Sequence, residues 1–271
     1  SGHWVFESSY VPATLWGVSG ATQPVASRRR VLLAVAGLGA FAGCSRLTDP
    51  VVHGTQIIVP VAWLNVPSRT VHKKVGVVAI DTATDTATIA IDERCGYARE
   101  GVLGADGQVY LATETYGAAA YRIVGGATPA PCLLRFDPVA LKFDASFYKE
   151  LSSLTGGKVT GSLLAGPGGK TYLRVLDETV HPIQTGEHPR LVASSAAWTF
   201  WQLDLGNLNT SLVSSLPPST GSTFLHQAGD KVVFTEFAAG STGTTLRQLT
   251  GEGGQALTHT DGLVFSFLQL R

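Results

Sequence analysis

The sequence predicts an all-β fold of β-propeller type: about four antiparallel sheets set radially, in a ring that is either small or incomplete. Three observations carry this. Val77 to Glu114 reads as two hairpins laid end to end, VVAID/ATIAI around the polar turn TATDT and GVLGADGQVYLAT closed by Asp106-Gly107. Asp-Gly supplies the two positive-φ positions of a type I′ turn, so these four strands are expected to form one blade. Next, a turn followed by a strand recurs at His53-Gly54-Thr55-Gln56, Asp106-Gly107-Gln108, Gly168-Gly169-Lys170 and Gly229-Asp230-Lys231. It sets Ile58, Tyr110, Tyr172 and Val233 at equivalent places, a repeat of roughly 50–60 residues that suits propeller blades with loop insertions. Lastly, VVAID, LLRFD and FWQLD end strands on Asp81, Asp137 and Asp204, and TTLRQLT at 244–250 is a weaker copy. An aspartate there bonds its own backbone two residues on and opens a turn, so these are turn builders rather than catalytic acids.

Residues 1–50 differ from the rest. Ser27-Arg28-Arg29-Arg30, an apolar run to Ala42 and Gly43-Cys44-Ser45 form a lipoprotein-signal-like stretch over 27–44. The run is too short to span a bilayer as a helix. Three readings stay open: a lipid anchor at Cys44, an ordinary buried element, or a foreign stretch joined to a propeller fragment. Helix is expected only near Val31–Phe41 and Ala145–Leu154. The propeller region is 51–271, and an open arc or a small ring with a visible gap is expected, because the repeats start abruptly at Val51 and finish on LVFSFL at 263–268.

Composition narrows the function classes. Lys+Arg 20 balances Asp+Glu 20, so the basic surplus of a nucleic-acid binder is absent, and 44% hydrophobic content disfavours disorder. The three cysteines show no zinc spacing. Cys95 and Cys132 lie near strand edges. In an oxidising compartment they pair as a disulfide, and two isolated thiols are the alternative.

Catalytic motifs are missing. GxSxG and HExxH do not occur, SxxK at Ser146–Lys149 lacks its partners, and Gly169-Lys170-Thr171 has Leu164 where a P-loop needs its first glycine. One loop, 177–190, gathers His181, Glu187 and His188 with Asp177 and Glu178. Imidazole and carboxylate suit a transition metal, but Pro182 and Pro189 break any regular spacing, and a solvated polar loop is the simpler reading. Trp63, Tyr97, Tyr116 and Tyr121 fall at strand ends or in loops, where they could stack on a flat aromatic ligand. Large aromatics more often fill cores and inter-blade seams.

IIVPVAWLN, VVAIDTATDT, PCLLRFDP, FDASFYKELSSLTGGKVTGSL, STGSTF and VFTEFAAGS resemble the MxcI-like group of bacterial cell-envelope proteins, over about 51–271. The resemblance implies a β-propeller near siderophore and iron-uptake systems and carries no catalytic signature. The function expected is therefore a non-enzymatic envelope binding or scaffold protein, accessory to iron uptake. Its partner would be a siderophore or an envelope protein, and it would touch the membrane only through a lipid anchor. The sequence names no cofactor. The alternative is a propeller hydrolase or lactonase with a metal in the central channel, which needs acidic and imidazole side chains from several blades to converge.

Overall fold

The computed structural model describes residues 50–262, apart from 222–224, 229–230, 238–242 and 251–252. The expectations for Val31–Phe41, Cys44, the 27–44 run and 263–268 fall outside the described residues. Sixteen strands form four four-stranded antiparallel sheets, each a simple meander. The first sheet holds β1 (Val51–His53), β2 (Gln56–Asn65), β3 (Thr70–Asp81) and β4 (Thr86–Asp92). The second holds β5 (Ala98–Leu103), β6 (Val109–Thr113), β7 (Cys132–Asp137) and β8 (Lys142–Glu150). The third holds β9 (Thr160–Ala165), β10 (Thr171–Leu176), β11 (Trp198–Leu203) and β12 (Thr210–Leu212). The fourth holds β13 (Leu225–Ala228), β14 (Lys231–Phe237), β15 (Gly243–Thr250) and β16 (Gly253–Asp261). Among the described residues the four sheets do not close a ring.

Alternation of side chains along each strand builds the seams between sheets. Ile58, Val75, Val77 and Ala79 of the first sheet meet Val109, Leu111, Leu134 and Phe136 of the second. The intervening residues Tyr110, Ala112 and Leu133 turn the other way and meet Leu163, Leu173 and Leu203 of the third. Leu164, Tyr172 and Phe200 then face Val232, Phe234 and Leu249 of the fourth. Sheets buried on both faces read as nearly continuous apolar runs, and each fully buried aliphatic or aromatic side chain contributes roughly 1.5–3 kcal/mol.

The turn aspartates act as expected. Asp81 Oδ1 accepts the Ala83 N–H at 2.8 Å, Asp137 Oδ1 accepts from Val139 and Ala140, and Asp204 Oδ1 accepts from Gly206. Ile58, Tyr110, Tyr172 and Val233 all sit on the second strand of their sheets.

Two expectations are corrected. The four strands of 77–114 are not one blade: VVAID and ATIAI close the first sheet, and the Asp106-Gly107 hairpin opens the second. The link 93–97 carries the chain between sheets instead of turning a hairpin. Helix also lies elsewhere. Most of Ala145–Leu154 is β8, with only α2 (Leu151–Leu154) helical, whereas α1 (Thr115–Val124) and α3 (Pro189–Ala193) lie in stretches read as strand ends or loop. Six residues of α1, Thr115 to Ala120, are buried, so tertiary packing outweighs the low helix propensity of Thr, Tyr and Gly in its first turn.

Because each sheet is a meander and each new sheet starts where the last ended, the connections segregate. The turns at 54–55, 82–85, 104–108, 138–141, 166–170 and 204–209 leave one end of the arc. The links 93–97, 114–131, 151–159, 177–197 and 213–221, with the hairpin 66–69, leave the other, and the three α-helices of the described residues lie there.

Candidate functional site

The long-connection end holds a polar cluster built by two β-bulges. Pairing of β5 with β6 shifts between Ala98 and Glu100, so Arg99 is the extra residue. Pairing of β9 with β10 shifts between Leu173 and Arg174, so Ser162 is extra, and its φ is 58°. A bulge re-aims a side chain that regular alternation would send into a seam. Here the Ser162 hydroxyl accepts the Thr115 N–H at the start of α1 at 3.2 Å, and the Glu100 carboxyl is held by the Ser162 hydroxyl and the Leu163 N–H.

Charge concentrates around this point. Arg99 Nε lies 3.1 Å from Glu114 Oε2, with only 11% and 9% of the two side chains exposed. Glu100 keeps part of its surface in solvent, but its Oε2 is sealed from water and has no hydrogen-bond partner among the described residues. Burial pushes the Glu100 carboxyl up to about 8, and the neighbouring Glu114 charge pushes the same way. It is therefore mostly protonated at neutral pH.

Arg174 on β10 is fully buried. Its Nη2 donates to Trp198 O at 2.7 Å, Ser219 Oγ at 2.5 Å and Thr220 O at 2.9 Å, and its guanidinium lies 3.7 Å from the centre of the Phe200 ring. Burial lowers its pKa to about 9, while the Glu100 charge favours its cationic form. The cluster thus ties the second and third sheets, α1 and the 213–221 link together. The Glu114 carboxylate is buried beside Arg99, whereas Glu100 stays part-exposed.

The backbone approaches closely here. A Cβ on Gly161 would stand 2.9 Å from Thr115 N and Cα. Gly161→Ala should therefore push α1 off the third sheet and cost about 1–3 kcal/mol, the usual range for overpacking. Urea unfolding checks this, and a loss below about 0.5 kcal/mol would contradict it.

The proposed metal set does not converge. His181 Nε2 pairs with Glu187 Oε1 at 2.9 Å, but His188 Nδ1 instead accepts the Arg190 N–H and caps α3. Among the described residues no three His, Cys, Asp or Glu side chains gather closely enough to hold a metal ion. The aromatic candidates do not form one platform either. The Tyr97 and Tyr116 ring centres lie 5.5 Å apart with the planes tilted by 48°, yet the two residues are 3% and 5% exposed and are packed with Ala62, Val71 and Ala120. Trp63 lies on the outward face of the first sheet with Lys74 Nζ 4.8 Å from its ring, and Tyr121 is 38% exposed on α1. Cys95 and Cys132 are joined as a disulfide, with Cα atoms 5.9 Å apart. Among the described residues no helix is long and apolar enough to cross a membrane.

Sequence reading missed the concave feature of this end. A cleft of about 560 Å³ opens between the first and second sheets. Its walls include His72 and Lys73 of β3, Thr128 and Pro129 of the 114–131 link, and Tyr148 and Glu150 of β8. His72, Lys73 and Glu150 are exposed, and Tyr148 is part-buried. Arg94 also reaches the cleft, but Asp92 and the carbonyls of Asp144, Ala145 and Phe147 occupy its guanidinium, so it serves as wall.

No family model matches the chain, and no curated protein matches it. Solved structures do. The Pyrococcus horikoshii acylaminoacyl peptidase is similar over 79% of this chain, at 10% identity and a TM-score of 0.42. The β-propeller domain of the trilobed protease from Pyrococcus furiosus, described as having an open velcro topology, is similar over 81% at 11% identity, with a TM-score of 0.36. A GH43_1 enzyme from Xanthomonas citri complexed with xylose is similar over 83% at 11% identity, with a TM-score of 0.42. The likeness is one of fold. The chain spans 32% of the peptidase, 58% of the protease domain and 79% of the GH43_1 enzyme.

Proposed function

We propose that the chain is a non-enzymatic binding protein of the bacterial cell envelope, accessory to iron uptake, whose ligand is an anionic iron chelate of the siderophore class. The observation that carries this is the cleft between the first and second sheets. It lies on the end that bears the long connections, where loops positioned by a rigid scaffold commonly carry function, and its volume suits a small molecule. Lys73 supplies positive charge at its mouth, and His72 and Tyr148 line it. The sequence resemblance to the MxcI-like group supports the ligand class, and the Cys95–Cys132 disulfide fits an oxidising compartment.

Titration with ferric catecholate, hydroxamate and carboxylate chelates, followed by quenching of intrinsic fluorescence, tests this reading. One class should bind saturably. Lys73→Glu should weaken it at least about tenfold, since reversing a charge beside an anion costs about 1.4 kcal/mol or more. Turnover of a lactone, ester or peptide substrate with no chelate bound would favour the hydrolase alternative and overturn the proposal.

A further inference from the structure

Four sheets present four outer edges, and three of them are protected in recognised ways. β8 carries Lys142, Asp144, Lys149 and Glu150, and its pairing with β7 is broken between Leu134 and Phe136. β12 is only Thr210–Leu212. β16 is bulged where β15 passes from Leu246 to Arg247. Among the described residues β4 has none of these devices. It pairs with β3 residue for residue from Thr86 to Asp92 without a shift. Its one charge, Asp92, stands at the end and is engaged by Arg94. Ile89 and Ile91 are 51% and 41% exposed. Both lie on the face that Ala87 shares, continuous with the apolar row of Val61, Val78 and Ile80.

We propose that β4 is a docking edge for a second copy of this chain, which pairs its own β4 antiparallel to it about Ile89. The strand is self-complementary in that register. Ile89 meets the partner's Ile89, Ala87 meets the partner's Ile91, and Thr88 meets the partner's Ala90. Each Asp92 falls opposite the partner's Thr86, so the two carboxylates stay at opposite ends. Centring on another residue shortens the overlap. Two first sheets then become one continuous sheet across a twofold axis, an isologous contact that closes on itself. The overlap is short, which places the pair among weak interfaces that dissociate on dilution. This proposal does not rest on the ligand of the cleft.

Sedimentation over a wide concentration range should show a monomer–dimer equilibrium, and Ile89→Lys should remain monomeric with an unchanged far-UV spectrum. In a Cys44→Ser background, Ile89→Cys should cross-link under mild oxidation, because residues directly opposite across an antiparallel pair lie about 4.5–5.5 Å apart at Cα and suit a disulfide. Ala87→Cys, which faces position 91 rather than itself, should cross-link far more slowly. A monomer at every concentration, an Ile89→Lys variant that still dimerises, or equal cross-linking at 87 and 89 would overturn the proposal.

Discussion

Replacing Arg174 by alanine should lower the unfolding free energy by about 3–5 kcal/mol, the largest single effect expected in the molecule. One nitrogen, Nη2, serves three acceptors: Trp198 O, Ser219 Oγ and Thr220 O. Trp198 and Ser219 also exchange both backbone hydrogen bonds at 3.0 Å, so Arg174 secures a short bridge between β11 and the link that leads to the fourth sheet. Alanine would remove a charged donor that the Trp198 and Thr220 carbonyls and the Ser219 hydroxyl share. It would also open a cavity against Phe200, whose ring the guanidinium covers. Arg174→Lys should recover only part of the loss, since a single ammonium lacks the planar fork and the flat face. Urea unfolding followed by far-UV circular dichroism measures this, and a loss under 1 kcal/mol would show that the cluster does not hold the arc together.

The second large effect is a pH dependence. The folded Glu100 carboxyl titrates near 8, against about 4.5 as an ordinary side chain. Below 4.5 both folded and unfolded chains hold the proton. Between those values the unfolded chain releases it and the folded chain keeps it, so unfolding is increasingly favoured. This one group should remove stability by up to about 1.4 kcal/mol per pH unit as pH rises through the window, with no further loss above 8. Glu100→Gln cannot ionise and should flatten that part of the profile. The variant should match the wild type near pH 5 and exceed it by roughly 1–3 kcal/mol near pH 8.5, a discounted figure because Glu100 is part-exposed. Parallel stability curves from pH 5 to 9 would contradict the assignment.

The repeat was legible because each sheet reuses the same local chemistry. A turn precedes the second strand, an aspartate closes the third, and side chains alternate along both. The blade boundary was not legible, since alternation shows that 77–81 and 86–92 are strands without showing which neighbour they join. Only packing of Val75, Val77 and Ala79 onto Val109 and Leu111 decides that the next hairpin belongs to another sheet. The polar cluster was hidden for a similar reason. Arg99 and Ser162 reach it through bulges, and a bulge is one extra residue against a partner strand that the sequence does not identify. α1 escaped notice because six consecutive residues of it, Thr115 to Ala120, are buried together and Arg122 is its only charged side chain. α3 did have a signal: His188 before Pro189 is a cap followed by proline at the first helical position. That same cap is what removes His188 from the metal set.

The central claim is that the arc binds its ligand at the long-connection end, in the cleft between the first and second sheets. Amide hydrogen exchange with and without a saturating ferric chelate tests it most directly. Slower exchange at 70–73, 126–128 and 148–150, with no change in the turns 82–85, 139–141 and 204–209 at the opposite end, is the expected result. Protection confined to those turns, or none anywhere with the chelate bound, would contradict it.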